Sequence, residues 1–525
     1  MRSFKIFIKN NKWNIIILTA ITMLMVFVSL YVSKYTKIFF DEGFVNNNIS
    51  IIKESIFLLM GLYIGLFFLN LIQNYESVKF LYNGMLAIRK EIFKKVLNTD
   101  YSYFVNNPTG KIWGEIYTPP NRVGIFYTSL IFLPADIVEA FVYTYIIYKA
   151  SIVGGIILSL FIPFLILISY YTGKKIRKYE QKMLDSYRAM MGNAMDILSM
   201  AKIIKTNNND DYFLNIFKKN HEDMNNAAIS TNVLTTLWEN IILIVTAFSP
   251  LIIIYYGNTH MSSFKLTQGE LIVIYIFSPL FFNSYKKIYK KFLDFYGVKP
   301  YIKTIEEHLG LEDEKLGENK LNKGNLEIHN FEYNYGNKKV KIPDIKVNKG
   351  EKILILGESG RGKSTMFNAI IGILKDYKGV IKIGNEDIKN IDIEDLRKKV
   401  KLVHQEGYVF NGTLKENILM ELNNVSEEEY KKILKILKLE KLEKEKDGII
   451  NKDKISGGEK ARINLAQVLL RKPEMLLLDE TLSSVDEEME KEILQEIIKA
   501  YPDMTILMIT HRKSIAKFFD KIIEL

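Results

Sequence analysis

A glycine-rich segment at 357–365 has the composition of a loop that binds phosphate groups. It follows an apolar run at 352–356 and precedes a helical pattern at 366–374, the order of strand, loop and helix that such a site needs. Glycines let backbone N–H groups close around phosphates, and the positive end of the following helix faces them. Lys363 is expected to reach the outer phosphates, and the Ser364 hydroxyl is expected to bind Mg²⁺. The loop consists of Gly357, Glu358, Ser359, Gly360, Arg361, Gly362, Lys363, Ser364 and Thr365.

A second apolar run, 475–478, ends in two adjacent carboxylates, Asp479 and Glu480. At the tip of a strand, Asp479 is placed to hold Mg²⁺ through water, and Glu480 is placed to polarise an attacking water molecule. An acidic pair after a strand can also be a simple helix cap. Because the glycine-rich loop occurs in the same chain, the pair indicates a nucleotide site instead.

The part of the chain that precedes these two motifs differs from the rest in its charge. Residues 1–300 carry 31 Lys and Arg against 19 Asp and Glu, whereas residues 301–525 carry 40 against 41. The basic part contains long uncharged stretches, and about 20 apolar residues suffice for a helix to span a bilayer. The sequence therefore predicts a membrane domain. Its six predicted spans are 13–33, 55–75, 123–148, 150–173, 240–264 and, with the weakest apolar pattern, 269–292.

The distribution of basic residues predicts the orientation of these spans. The connections 76–127 and 172–232 carry seven and ten Lys or Arg, whereas 34–50, 149–151 and 258–268 together carry four. Because basic residues stay on the cytoplasmic side, both termini and the long connections are expected there. The long connections have helical patterns, so we expect the helices to continue out of the bilayer.

Two carboxylates, Asp136 and Glu139, interrupt the third predicted span. Three residues apart on a helix, they lie on one face. A carboxylate at membrane depth is costly unless it faces a polar cavity or a partner. The pair therefore has two interpretations that the sequence leaves open, the cation-attracting wall of a substrate pathway or a structural salt bridge.

The motifs occur in the order typical of one family. The chain resembles an ATP-binding-cassette exporter half-transporter over essentially its full length, and 455–459 is similar to the family signature Leu-Ser-Gly-Gly-Gln. Exporters have two cytoplasmic coupling segments, and residues 107–110 and 197–205 resemble parts of them. We therefore expect the first coupling segment near 101–108 and the second near 197–205. The other matching motifs are His404-Gln405-Glu406, Ser483-Ser484-Val485-Asp486 and Thr510-His511-Arg512.

The resemblance implies a fold and a mechanism. It implies an all-α membrane domain of six helices at 1–300, a linker at 301–324 and an α/β phosphate-loop NTPase cassette at 325–525. It implies that ATP and Mg²⁺ bind between two cassettes, so that a dimer is the working unit. The residues that the resemblance assigns to this site are Tyr335 against adenine, Gln405 at Mg²⁺, His511 at the terminal phosphate, and Ser456, Gly457, Gly458, Glu459 and Asp486 at the shared interface.

Some features depart from the family pattern. Glu459 replaces the usual Gln, Ile455 replaces the usual Leu, and 449–454 lacks the usual Gly-Glu-Arg-Gly motif. Since Glu480 and the Ser-Gly-Gly core are intact, we favour a homodimer over a heterodimer with another chain.

The cargo is left open by the sequence. We expect a peptide or an amphipathic or hydrophobic small molecule, moved across a bacterial cytoplasmic membrane. A lipid flippase, a multidrug exporter and a non-translocating ATPase sensor remain as alternatives. Nucleic-acid binding is not expected, because the charge run at 431–446 alternates in sign. The chain has no cysteine, which excludes disulfides and thiolate metal sites.

Overall fold

The computed structural model describes residues 2–525 except positions 10, 45, 260–267, 337, 359, 406, 421, 423, 445–447 and 453. The chain divides into two compact units, Met1–Asp313 and Glu314–Leu525. Ser359 of the predicted phosphate loop lies outside the described residues, and so do the end of the predicted span 240–264 and most of the connection 258–268.

The described secondary structure of the first unit is helical throughout. At about 1.5 Å per residue, a helix of 50 residues such as Ile49–Asn98 is about 75 Å long, well beyond the apolar thickness of a bilayer. The long helices therefore extend past the membrane. The helices are α1 (Arg2–Lys9), α2 (Lys12–Ile38), α3 (Ile49–Asn98), α4 (Tyr101–Asn106), α5 (Thr109–Ile131), α6 (Leu133–Ala150), α7 (Ile152–Ser159), α8 (Phe161–Ser199), α9 (Ala201–Asn207), α10 (Asp210–Thr259) and α11 (Gln268–Leu309), with a π-helical turn at Phe39–Phe44.

Several of these helices can cross a membrane. Among the described residues, four helical segments are long and apolar enough, and α5 with α6 makes a fifth if the two count as one bent span. The bend is 44°, and Pro134 at the start of α6 explains it, because proline lacks the N–H that would continue the helical hydrogen bonds. The sixth predicted span lies in α11, where lysines at 286, 287, 290 and 291 interrupt the apolar surface.

The boundary between the units, after Asp313, falls inside the predicted linker 301–324, but the first unit extends beyond its predicted end at 300. Residues 301–309, predicted as the start of a linker, instead complete α11. Tyr301, Ile305 and Leu309 recur at helical spacing and are all buried, so an apolar face packs this last part of the helix within the first unit. The unit ends at Asp313.

The described part of the second unit contains two main β-sheets and a small antiparallel sheet of two strands. Its strands are β1 (Leu326–Tyr335), β2 (Lys338–Ile342), β3 (Ile345–Val347), β4 (Lys352–Leu356), β5 (Lys378–Ile383), β6 (Glu386–Asp387), β7 (Val400–Val403), β8 (Gly412–Thr413), β9 (Ile449–Ile450), β10 (Met475–Asp479), β11 (Thr505–Ile509) and β12 (Lys521–Glu524). One sheet is parallel, in the order β12-β4-β11-β10-β7. The other is antiparallel and contains β1, β2, β3, β5 and β6.

Helices flank these strands, and the parallel strands are buried. All five residues of β4 and of β11 are buried, which explains their continuous apolar composition. The helices are α12 (Lys363–Ile370), α13 (Ile393–Lys399), α14 (Leu414–Leu419), α15 (Glu427–Ile436), α16 (Glu440–Lys444), α17 (Gly457–Leu469) and α18 (Glu487–Ala500), with 3₁₀ turns at Ile388–Asn390 and Lys513–Phe518.

This topology places the predicted site residues at one edge of the parallel sheet. The phosphate loop follows β4, and Asp479 is the last residue of β10. Gln405 follows the end of β7, and His511 follows the end of β11. Because β4, β11, β10 and β7 are neighbours with parallel directions, their carboxyl ends meet, which is where such sheets bind ligands.

Candidate functional site

The phosphate loop closes around its own lysine. Lys363 Nζ donates hydrogen bonds to the carbonyl oxygens of Gly357, at 2.6 Å, and Glu358, at 2.8 Å. Gly362, which caps α12, has a φ of +93°, and a Cβ at this position would lie 2.1 Å from Val340 Cγ1. Only glycine fits this backbone and this space. The loop therefore holds an ammonium group beside the N–H groups that begin α12, an arrangement suited to an anion.

The tips of three neighbouring strands meet at Glu480. Gln405 Nε2 donates to Glu480 Oε2 at 3.2 Å, and His511 Nε2 lies 2.9 Å from Glu480 Oε1. Both oxygens of this carboxylate are therefore held in place. A carboxylate held at the edge of a phosphate-binding sheet can accept a proton from a water molecule, which is the chemistry expected of Glu480.

The backbone of Glu480 is itself unusual. Its φ of +47° is a conformation that residues other than glycine rarely adopt. A hydrogen bond from Glu480 N to Ile509 O, at 3.0 Å, holds it against β11. Next to it, Thr481 Oγ1 donates to Val403 O at 2.8 Å, which ties the same turn to β7. Thr481 could not be recognised from the sequence, because a threonine after two carboxylates has no distinctive pattern.

Asp479 lies deeper in the same edge. Burial raises the pKa of its carboxyl group above the usual value, and a hydrogen bond from the Ser364 hydroxyl opposes that shift. The structure thus joins the end of β10 to the start of α12 through two oxygen-bearing side chains. Oxygen donors of this kind are the ligands that Mg²⁺ prefers.

Tyr335 also reaches this region from the antiparallel sheet. Its ring is 50% exposed, and its hydroxyl lies 3.2 Å from Thr365 Oγ1 in α12. Tyr333 contacts it edge to face, with 4.7 Å between the ring centroids. An exposed aromatic ring beside the phosphate loop is available to stack on a flat base.

The signature segment forms the start of α17. Ser456 and Glu459 make a reciprocal capping box, with Glu459 N to Ser456 Oγ at 3.2 Å and Ser456 N to Glu459 Oε2 at 2.9 Å. Glutamate is a standard partner in such a box, so the replacement of Gln by Glu459 preserves the helix start. A Cβ on Gly458 would lie 3.0 Å from Ser484 O, so the glycine allows the segment 483–486, which we call the D-loop, to pack closely. These contacts join the signature to the D-loop.

Arg512 organises the D-loop. Its guanidinium group donates to Ser483 O and Val485 O, both at 2.8 Å, and to Glu490 Oε2 at 2.5 Å. Asp486 begins α18, without a side-chain cap hydrogen bond. In the sequence Arg512 lies next to His511, but this role is not visible there, because its partners are two backbone carbonyls and a carboxylate of a distant segment.

The first predicted coupling segment is built into a close helix contact. Asp100 caps α4, and a Cβ on Gly110 would lie 2.3 Å from Met191 O of α8. The hydroxyl of Tyr103 lies 3.1 Å from His308 Nε2. The segment is therefore fixed by packing within the first unit. The second predicted segment, 197–205, contains the end of α8 and the start of α9.

The membrane carboxylates Asp136 and Glu139 both pair with lysines of α11. Lys291 pairs with Asp136, and Lys287 Nζ lies 2.7 Å from Glu139 Oε2. Asp136 is 6% exposed. Of the two interpretations left open, the structure favours the salt bridge, because each negative charge has a cationic partner. A lysine on a helix distant in sequence could not be assigned as that partner from the sequence.

Comparison with known proteins is consistent with this geometry. The family model described as ABC transporter transmembrane region matches residues 14–285, and the model described as ABC transporter matches residues 340–483. The "Putative export ATP-binding/permease protein RT0691" of Rickettsia typhi is 24% identical, with 97% of this chain and 91% of that protein covered. The "Lactococcin-G-processing and transport ATP-binding protein LagD" of Lactococcus lactis is 23% identical over 84% of this chain, which spans 64% of that protein.

A solved structure shares the fold. "Structure of a bacterial Atm1-family ABC exporter with ATP bound" matches with a TM-score of 0.84 and 17% identity, covering 99% of this chain and 93% of that one. The predicted fold class, a helical membrane domain of exporter type joined to an α/β phosphate-loop cassette, is confirmed.

Proposed function

The chain belongs to the ABC transporter family as an ATP-hydrolysing exporter half-transporter, and from that premise we propose that two copies of it move a peptide or an amphipathic small molecule across a bacterial cytoplasmic membrane. Both termini and the cassettes face the cytoplasm. The excess of basic residues in 76–127 and 172–232 supports this orientation.

The observation that supports the proposal most directly is a pair of contacts beside the phosphate loop, in which Glu480 contacts both Gln405 and His511. Glu480 is held by both neighbours, at 3.2 and 2.9 Å. When the terminal phosphate of ATP binds, Gln405 and His511 are free to turn toward it, and Glu480 then orients the attacking water and accepts its proton. Lys363 leaves the loop carbonyls and binds the phosphate oxygens.

The residues at this edge also fit a magnesium ion. Ser364, Gln405 and Asp479 offer a hydroxyl, an amide carbonyl and a carboxylate, all oxygen donors, and would hold the ion with water. Bound there, Mg²⁺ would neutralise charge on the ATP phosphates. The hydrogen bond between Ser364 and Asp479 keeps two of these side chains in position before the ion arrives.

A second copy is proposed because the signature segment has its own set of contacts. Ser456 caps α17 and bonds Glu459, while Gly458 packs against Ser484 of the D-loop. The start of α17 is an anion-binding helix end, and one cassette has one phosphate loop. Two chains facing each other would place each signature opposite the partner's ATP. Because Glu480 and Ser456 are both intact, we infer two equivalent sites in a homodimer.

Closure of this dimer would drive transport. ATP would bind the closed dimer better than the open one, and this difference in affinity would shift the membrane helices between two arrangements. The segments near 101–108 and 197–205 would transmit the movement, and hydrolysis would reset it. The name of LagD, a processing and transport protein for lactococcin G, supports a peptide as one cargo class.

Transport into sealed proteoliposomes tests the proposal. With cassettes facing outward, ATP should drive uptake of a labelled cargo, and the Glu480→Gln chain should show none. Probes of three classes, a cationic hydrophobic peptide, a fluorescent lipid and a hydrophobic dye, distinguish peptide export from lipid flipping and drug export. ATP turnover without uptake of any probe would contradict transport and support a sensor.

A further inference from the structure

We propose that Lys338, the first residue of β2, binds a phosphate group of ATP from the side of the phosphate loop that faces the antiparallel sheet. Lys338 lies in none of the motifs that indicated the nucleotide site. The inference rests on the nucleotide site of the proposed function and adds a second lysine to it.

The alternation of β2 separates Lys338 from the lysines next to it. Successive side chains of a strand point to opposite faces of the sheet. Lys339 and Lys341 share one face, and their ammonium groups lie 2.5 and 2.8 Å from the carboxylate oxygens of Glu332. Lys338 and Val340 share the other face. Lys338 therefore has different surroundings from two lysines that are paired at the surface.

The face of β2 that carries Lys338 packs against the phosphate loop. A Cβ on Gly362 would lie 2.1 Å from Cγ1 of the buried Val340, which fixes the strand against the loop. A Cβ on Gly360 would lie 3.2 Å from Lys338 Nζ. The ammonium group of Lys338 is therefore within contact distance of the loop at Gly360.

The charge of Lys338 is available to a ligand. Among the residues that the structure describes, its ammonium group has no carboxylate partner. The two cations of the loop itself are engaged, because Arg361 Nη2 lies 3.4 Å from Glu358 Oε2 and Lys363 Nζ donates to loop carbonyls. A lysine is a point charge on a flexible stem. Beside a loop that binds phosphate, such a charge suits a phosphate oxygen.

The hairpin of β1 and β2 brings this lysine to the same ligand as Tyr335. The two residues are register partners at the end of the antiparallel pair. The ring of Tyr335 is half exposed, and its hydroxyl lies 3.2 Å from Thr365 Oγ1 at the end of the phosphate loop. Since Tyr335 is the residue proposed to stack on adenine, one hairpin would hold both the base and a phosphate of one nucleotide.

Equilibrium binding of AMP-PNP, an ATP analogue that is not hydrolysed, tests the proposal on the full chain in detergent with Mg²⁺. Lys338→Met keeps an unbranched side chain and removes its charge. We expect the Kd for AMP-PNP to rise about tenfold, as for the loss of one hydrogen bond to a charged group. The Kd for adenosine, which has the base and ribose without a phosphate, should not change. Lys338→Arg keeps the charge and should restore most of the AMP-PNP affinity.

Lys341→Met is the matched control, because it removes a charge from the opposite face of the same strand. It should change neither Kd. The Tm of Lys338→Met should equal that of the unchanged chain, because Lys338 is exposed. In ATP hydrolysis, Lys338→Met should raise the KM for ATP and leave kcat close to its original value, the pattern of a lost binding contact.

Two results would overturn the proposal. One is an equal AMP-PNP affinity in Lys338→Met and Lys341→Met. The other is an equal loss of adenosine and AMP-PNP binding in Lys338→Met, which would show that Lys338 supports the hairpin and does not bind phosphate.

The proposed function fails separately in this design. If Lys338→Met weakens AMP-PNP as expected but proteoliposomes accumulate no probe, the phosphate contact stands and transport is contradicted. If the unchanged chain does not bind AMP-PNP, or if Lys363→Ala binds it equally well, the nucleotide site is contradicted and the role of Lys338 with it.

Discussion

Replacing Arg512 by methionine should destabilise the cassette by about 3 kcal/mol. Glu490 is fully buried at 0% exposure, and Arg512 holds it with a hydrogen bond of 2.5 Å. Removing one partner of a buried ion pair costs about 3–5 kcal/mol, because the other charge stays buried without compensation. We take the lower end because the Arg512 side chain is 30% exposed, where water screens the charge. For a unit of this size, the Tm should fall by roughly 6–12 °C.

Differential scanning calorimetry of the full chain in detergent measures this change in the cassette transition. Lys513→Met, at the exposed neighbouring position, is the matched control and should shift the free energy of unfolding by less than about 0.5 kcal/mol. The double change Arg512→Met with Glu490→Met should restore most of the lost stability, because no buried charge then remains unpaired.

The loss should also depend on pH in a defined direction. Burial raises the pKa of Glu490, and Arg512 opposes that shift, so the pKa rises further when Arg512 is removed. A carboxyl whose pKa is raised by folding loses stability as the pH rises through that pKa. The deficit of Arg512→Met should therefore be larger at alkaline pH than at mildly acidic pH. A Tm equal to that of the Lys513→Met control, or a deficit that grows at low pH, would refute the reasoning.

Two further predictions concern turnover and helix packing. The Glu480→Gln chain should bind a fluorescent ATP analogue normally. Its phosphate release should fall by at least about a hundredfold, because the attacking water loses its proton acceptor. A near-normal rate of phosphate release would show that Glu480 does not have that role. Gly110→Ala should lower the stability of the first unit by about 1–3 kcal/mol in calorimetry, because the new Cβ would lie 2.3 Å from Met191 O. Gly192→Ala, where the nearest atom is 4.0 Å away, is the control, and an equal shift in both would contradict the packing argument.

Contiguous motifs made the cassette predictable from the sequence. The phosphate loop needs its glycines, lysine and serine in one short run, and Asp479 and Glu480 are adjacent at a strand end. Parallel strands then bring these segments to one edge without further information. The structure places Gln405 and His511 at that same edge, each in contact with Glu480.

Contacts between distant segments could not be predicted in the same way. The partners of Asp136 and Glu139 are lysines about 150 positions later, and only the packing of α6 against α11 selects them. The end of the membrane unit was placed too early, because the charges of 301–309 concealed an apolar face at helical spacing. A cavity among α5, α8, α10 and α11 is lined by Glu180 and Asp294, and no local pattern in the sequence indicates it.

Turnover of mixed dimers tests the central claim, that each ATP site combines the phosphate loop of one chain with the signature of the other. Chains with two different affinity tags allow a dimer of Lys363→Ala with Ser456→Arg to be purified, and also a dimer of unchanged chain with the double variant. The shared-site arrangement predicts one intact site and measurable ATP hydrolysis in the first dimer, and no intact site in the second. Hydrolysis in the second dimer with none in the first would show that each chain builds its site alone.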